Sequence, residues 1–127
     1  GTGKEARALG AMEVILNPDA EQHAYSYENK EHYENLVRYA AVDDAEARQA
    51  MEISILAWRG LGLKDGGRID LRSDAGGRPH FMEVNSLAGL NPVRSDLPIL
   101  CRLKGISFDR LVTDILNSAL KRANIIT

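Results

Sequence analysis

Short apolar runs and helical stripes divide the chain into recognisable elements. Residues 9–16 and 36–42 are strand-like runs, and the tyrosine-rich segment 24–30 is a further short extended stretch. Ala45–Gly60 carries apolar residues at helical spacing after a capping Asp43 or Asp44. A short helix is predicted over residues 97–105 and a longer one over Phe108–Arg122. This order predicts one α+β domain over residues 1–127, a mostly antiparallel sheet packed by two main helices.

Residues 67–85 predict a β-hairpin. Strands over 67–72 and 78–85 flank the pair Gly76-Gly77, and a two-residue turn needs the positive φ that glycine adopts freely. With Ala75 and Arg78 closing that turn, Asp70 falls opposite Glu83.

The same register sorts the hairpin side chains onto two faces. Side chains alternate along a strand, so one face carries a guanidinium, two carboxylates and an amide. These are Arg68, Asp70, Glu83 and Asn85. The opposite face is apolar and is predicted to be buried, and it consists of Ile69, Leu71, Met82 and Val84.

The polar face has two interpretations. Directly opposed carboxylates such as Asp70 and Glu83 repel each other unless a cation lies between them. Carboxylate and amide oxygens suit Mg²⁺ or Mn²⁺ far better than zinc, so the face predicts a divalent-metal site beside an arginine. The alternative is a solvent-facing strand pair whose charges balance, and the pattern alone leaves both open.

Composition narrows the class of protein. The 127 residues are 44% hydrophobic and 27% charged, as in an ordinary globular domain. A net charge of −2 gives no electrostatic footprint for nucleic acid or a membrane surface, and we expect neither as a partner. The single cysteine, Cys101, cannot form an internal disulfide, and no signal peptide or membrane-length apolar run is visible. We therefore expect a cytoplasmic protein.

The hairpin GRIDLRSDAGGRPHFMEVN and the loop SLAGLNPVRSDLP that follows resemble the carboxy-terminal part of the D-alanine–D-alanine ligase-like group of ATP-grasp ligases. The resemblance extends to GTGKEARALG, AYSYENK and the terminal GISFDRLVTDIL, and so covers essentially the whole chain. It implies the carboxy-terminal lobe of an ATP-grasp fold. It also implies an ATP- and Mg-dependent ligase that joins a carboxylate to an amine through an acyl phosphate, acting on amino-acid-like substrates.

The resemblance gives the polar face a set of roles. Asp70, Glu83 and Asn85 match positions that hold two Mg²⁺ (or Mn²⁺) ions on the ATP phosphates. Arg68 matches a residue that stabilises the acyl phosphate and the tetrahedral intermediate, and is the expected catalytic residue.

Other positions match ligand contacts of the family. Lys30 matches a phosphate-contacting lysine, and Met82 a position that lines the adenine pocket, although the hairpin register places it on the buried face. Gly89 and Ser95 match positions that hold the second substrate, with Ser95 at its carboxylate.

The chain also departs from the family. Glu31 stands where tyrosine is common, and Asp96 replaces the leucine of a usual serine-leucine pair. Both changes lie near the amine substrate, so the resemblance does not imply a particular dipeptide product.

The chain is also too short for the family's amino-terminal and central domains and begins at Gly1 without methionine. We therefore expect a fragment of a larger ligase that is inactive in isolation. Two alternatives stay open, a non-catalytic nucleotide-binding or interaction module that retains the fold and a two-metal hydrolase using Asp70 and Glu83.

Overall fold

The computed structural model describes residues 1–16 and 37–127. The predicted segment 24–30, with Lys30, and the departure at Glu31 lie outside the described residues. The elements are a 3-10 turn at Gly3–Glu5, strands β1 (Ala11–Leu16), β2 (Val37–Val42), β3 (Arg68–Ser73) and β4 (Pro79–Asn85), and helices α1 (Ala45–Gly60), α2 (Asp96–Leu103) and α3 (Phe108–Arg122).

The described strands form two antiparallel pairs. β1 pairs with β2 from Ala11 opposite Val42 to Leu16 opposite Val37, and β3 pairs with β4 as the predicted hairpin. The α+β class with antiparallel pairing is confirmed, and the sheet is divided into two two-stranded parts within the described residues.

Helix α1 has the predicted bounds and packs against β4 and β1. It begins after Asp44, whose carboxylate accepts a hydrogen bond from the Ala47 amide at 2.8 Å and so satisfies one of the orphan N–H groups of the first turn. Its last turn buries Trp58, which is 7% exposed.

The carboxy-terminal helices form the hydrophobic core. Leu97 and Cys101 of α2 pack against Leu111 of α3, and all three are buried. Ser107 begins α3 by accepting a hydrogen bond from the Arg110 amide at 3.2 Å. An apolar stripe runs along α3 and consists of Leu111, Val112, Ile115, Leu116 and Ala119. It is only partly covered, because Leu116 is 55% exposed in the described residues.

Among the described residues, no helix has both the length and the apolar character needed to cross a membrane.

Candidate metal and oxyanion site

The hairpin turn differs from the predicted one. The Gly77 amide donates to the Asp74 carbonyl at 2.9 Å, and the Asp74 amide donates to the Arg78 carbonyl at 3.0 Å. The loop therefore has three residues closed by Asp74 and Arg78, and Gly77 takes the left-handed conformation with φ of 73°. The prediction of a two-residue turn closed by Ala75 was wrong, because Asp74 completes this turn by accepting from the Gly76 amide with its side chain at 2.9 Å.

A β-bulge restores the predicted register at the other end of the hairpin. Leu71 pairs with Phe81, whereas Asp70 pairs with Glu83, so Met82 is an extra residue on β4. The one-residue change at the turn and the one-residue bulge cancel. Asp70 opposite Glu83 is therefore confirmed.

The bulge also corrects the prediction for Met82. We expected its side chain on the buried face of the hairpin, but it is 61% exposed. The prediction assumed that side chains alternate strictly between the two faces of β4. It was wrong because a β-bulge interrupts that alternation at the bulged residue. The adenine contact implied by the family resemblance does not need the buried face, and it stays a prediction.

Arg68 is the centre of the site. Its Nε and Nη2 donate to the two oxygens of Asp70 at 2.7 and 2.9 Å, which is a bidentate pair. Its Nη1 donates to Oδ2 of Asp96 at 2.5 Å. The side chains of Arg68, Asp70 and Asp96 are 31%, 37% and 28% exposed, so one side of this cluster remains open to solvent.

Electrostatics keep this guanidinium charged. Burial by itself lowers the pKa of Arg68, but the hydrogen bonds that Arg68 donates to Asp70 and the negative charges of Asp70, Asp96 and Glu83 outweigh it and raise that pKa above its ordinary value. Among the described residues, its bonds use three of the five N–H groups of a guanidinium and leave two. The arrangement offers a fixed positive charge with spare donors for an anionic ligand.

From the sequence, Asp96 was identified only as a departure from the family pattern, and Tyr39 was not identified as a site residue. The Tyr39 hydroxyl on β2 donates a hydrogen bond to Oδ1 of Asp96 at 3.1 Å, while Oδ2 of Asp96 accepts one from Arg68. These contacts join residues 57 and 28 positions apart. An acid at the first turn of a helix was the available signal, but that signal alone indicates only a helix terminus.

The loop between β4 and α2 brings two predicted substrate residues together. A Cβ on Gly89 would lie 2.6 Å from Ser95 Oγ, so a side chain does not fit there without displacing the serine. Ser95 Oγ accepts from the Asn91 amide at 3.0 Å and makes no capping bond to α2, although Ser95 is the residue before that helix.

Asp70, Glu83 and Asn85 fit a hard divalent cation by the chemistry of their donors. Arg68 opposite Asn85 is the next pair to Asp70 opposite Glu83 on the same hairpin face. Glu83 is exposed, and Asn85 Oδ1 accepts from the Leu87 amide at 3.1 Å, which leaves a lone pair on that oxygen. No group of three His, Cys, Asp or Glu side chains in the described part of the chain forms a metal cluster, and the set here relies on an amide as its third member.

A cavity of about 1000 Å³ opens beside Arg68 and Asp70, and neither Glu83 nor Asn85 lines it. Arg68, Asp70 and Asp96 contribute to its wall, together with apolar residues that include Trp58 and Leu111. Such a volume is in the range of small-molecule and cofactor sites.

Comparisons with a family model and with curated proteins all identify D-alanine–D-alanine ligases. Residues 2–117 match the model of the D-Ala-D-Ala ligase C-terminus. The chain is 32% identical over 122 residues to a D-alanine–D-alanine ligase of Bordetella petrii, covering 94% of the chain and 36% of that protein. A ligase of the same name from Nitrosococcus oceani is 32% identical over 101 residues, covering 77% of the chain and 31% of that protein.

Solved structures show the same fold. The D-alanine–D-alanine ligase of Bacillus anthracis complexed with ATP superposes with a TM-score of 0.62 at 22% identity, covering 71% of this chain and 32% of that one. Another structure of the Bacillus anthracis ligase gives a TM-score of 0.61 at 20% identity over 87% of this chain and 34% of that one. The chain thus spans about a third of the length of the relatives it matches. The match over residues 2–117 shows that the chain belongs to the D-alanine–D-alanine ligase family, as the carboxy-terminal part of its ATP-grasp domain.

Proposed function

We propose that this chain is the carboxy-terminal lobe of an ATP-dependent carboxylate–amine ligase. The observation that supports this most is the hairpin face, where Arg68 pairs with Asp70 on β3 while Asn85 and Glu83 lie opposite them on β4. Membership of the ligase family and the ATP named for a structural neighbour support the nucleotide.

The proposed reaction has two transfer steps. A substrate carboxylate oxygen attacks the γ-phosphorus of ATP, forming an acyl phosphate and releasing ADP. The amine of the second substrate then attacks the carbonyl carbon, loses a proton, and expels inorganic phosphate as the amide forms.

The residues have distinct roles in this proposal. Asp70, Glu83 and Asn85 would hold Mg²⁺ or Mn²⁺, two ions in the form we propose. Ions bound there would neutralise charge on the phosphates during transfer. Arg68 directs its spare N–H groups at the oxyanion of the acyl phosphate and the tetrahedral intermediate, where a preorganised charge stabilises the transition state.

The remaining assignments concern the substrates. Lys30 contacts a phosphate and Met82 the adenine, which its exposed position on the bulge allows. Gly89 and Ser95 hold the amine substrate, an amino-acid-like compound. We expect the isolated chain, which spans about a third of the length of its relatives, to release no phosphate from ATP.

The test uses Asp70→Asn in the full-length protein that carries this chain. Removing the charge of Asp70 takes away a proposed metal ligand and the bidentate partner of Arg68, so ADP formation with candidate amino acids should fall at least about a thousandfold. The matched control is Asp109→Asn, which neutralises an exposed acid in the first turn of α3. Equal thermal unfolding of both variants shows that the fold is kept. Turnover by Asp70→Asn at the control rate refutes the proposed site.

A second candidate is a nucleotide-binding module without catalysis, supported by the ATP named for a structural neighbour. Titration of the full-length protein with Mg²⁺ and a non-hydrolysable ATP analogue separates the two. Binding at the hairpin without ADP formation from ATP, under any amino-acid condition, supports the module.

A further inference from the structure

We propose that Asp96, oriented by Tyr39, is the positioning residue that keeps Arg68 in place when a cation occupies Asp70. This inference rests on the proposed metal and oxyanion roles of the hairpin face. It assigns a task to an acidic side chain at the site that lies on neither hairpin strand.

Arg68 needs a second carboxylate to hold it, because of the way it binds the first one, Asp70. Both oxygens of Asp70 accept from Arg68, at 2.7 and 2.9 Å. A cation bound to Asp70 draws on the same oxygens and repels the guanidinium, because the two positive charges then share one carboxylate. Arg68 held by Asp70 alone would lose orientation when the site is loaded.

Asp96 is placed to supply that anchor. Its Oδ2 accepts a hydrogen bond from Nη1 of Arg68, a nitrogen that makes no bond to Asp70. Its Oδ1 accepts a hydrogen bond from the Tyr39 hydroxyl at 3.1 Å. Both oxygens are thus directed by neighbours, and the side chain is 28% exposed. The backbone is fixed as well, because the next residue, Leu97, is buried in the core.

A merely structural role for Asp96 makes a different prediction. An acid in the first turn stabilises a helix through the macrodipole, whatever it contacts. Asp109 has that position in α3 and is exposed, so Asp109→Ala reproduces the helix effect without touching Arg68. Only the positioning role predicts a change in the guanidinium itself.

The experiment follows the ¹⁵Nε–Hε NMR signal of Arg68 in the full-length protein, assigned by its loss in Arg68→Lys. In wild type, and in Asp96→Ala without metal, we expect a narrow signal because one carboxylate suffices. Adding Mg²⁺ should broaden or erase the signal in Asp96→Ala and leave it in wild type and in Asp109→Ala. Tyr39→Phe and the milder Asp96→Asn should give intermediate broadening.

A metal-independent comparison separates this proposal from the proposed function. Asp70→Ala removes the first anchor directly, so Arg68 should remain ordered in that variant and become mobile in Asp70→Ala with Asp96→Ala. An ordered Arg68 in the double variant overturns the positioning role, whether or not the protein binds metal. Lack of any ADP formation by wild type instead refutes the ligase assignment.

Kinetics provide the corresponding functional readout. If Arg68 acts on the transition state, Asp96→Asn should lower kcat about tenfold while the KM for ATP stays within about twofold. An unchanged kcat, or an effect on KM alone, overturns the role of Asp96 in positioning Arg68.

Discussion

Gly67 lies where the core and the candidate site meet, and we expect Gly67→Ala to disturb both. A Cβ at this position would lie 2.6 Å from the Asn85 carbonyl oxygen and 2.7 Å from Cη2 of Trp58. Ordinary contacts between carbon atoms are about 3.5–4.0 Å, so each neighbour must retreat by roughly 1 Å. One neighbour is backbone and the other is a buried ring, and neither is the free end of a flexible side chain. Overpacking of this kind costs about 1–3 kcal/mol.

The assay is urea unfolding followed by tryptophan fluorescence, with Gly60→Ala as the control. Gly60 ends α1, and a Cβ there meets nothing within 4 Å among the described residues. Since alanine is a better helix former, Gly60→Ala should be neutral or stabilising by up to about 1 kcal/mol. Equal unfolding midpoints for Gly67→Ala and Gly60→Ala would refute the packing argument.

The same change reports on the site, because Asn85 is a proposed metal ligand opposite Arg68. A 1 Å displacement of its backbone should weaken Mn²⁺ binding in the full-length protein, measured by paramagnetic resonance, by roughly tenfold. Affinity equal to wild type, together with the expected loss of stability, would show that Asn85 is not a ligand. Gly60→Ala should leave Mn²⁺ affinity unchanged.

Two further predictions concern stability. Asp65 accepts hydrogen bonds from Ser118 and Arg122, and the bond from Arg122 is the main reason that its pKa lies below the ordinary value. Because the folded-state pKa is lowered, its stabilisation is present above about pH 4 and is lost as pH falls through the folded pKa. Asp65→Asn should therefore cost about 1–2 kcal/mol at pH 7, and its difference from wild type should shrink as pH falls through the folded pKa of Asp65 in pH-dependent unfolding. Leu111→Ala, at a core side chain only 2% exposed, should cost about 2–5 kcal/mol, while the exposed Leu116→Ala should cost less than about 1 in the same urea assay.

Local sequence signals were enough for the helices and the existence of the hairpin. Helix α1 has the predicted bounds, and the Asp44 cap is one of the two candidates that the sequence offered. Such elements are encoded by neighbours along the chain, through capping groups and apolar spacing. The stripe of α3 extends to Leu116, which is exposed, because periodicity shows which residues share a face but not how far a partner covers it.

The hairpin register shows a different relation between pattern and structure. The pairing of Asp70 with Glu83 is correct, although the turn and the alternation near Met82 were both predicted wrongly. A one-residue slip moves every side chain to the other face, so a turn error alone would have separated the two carboxylates. The bulge at Met82 prevents that and keeps the polar set together. Its position follows from pairing between strands, which no local pattern in β4 reveals.

The environment of Arg68 could not be predicted because it is assembled from three separate parts of the chain. Arg68 and Asp70 come from one strand, Tyr39 from another sheet, and Asp96 from a helix that begins after a loop. The loop fixes where that helix begins, since Ser95 Oγ is bound to the Asn91 amide and is not used as a cap. The orientation of a guanidinium at the proposed oxyanion site is therefore set by loop and core packing together. The carboxylate of Asp96 should therefore decide whether Arg68 is held by that packing or by Asp70 alone.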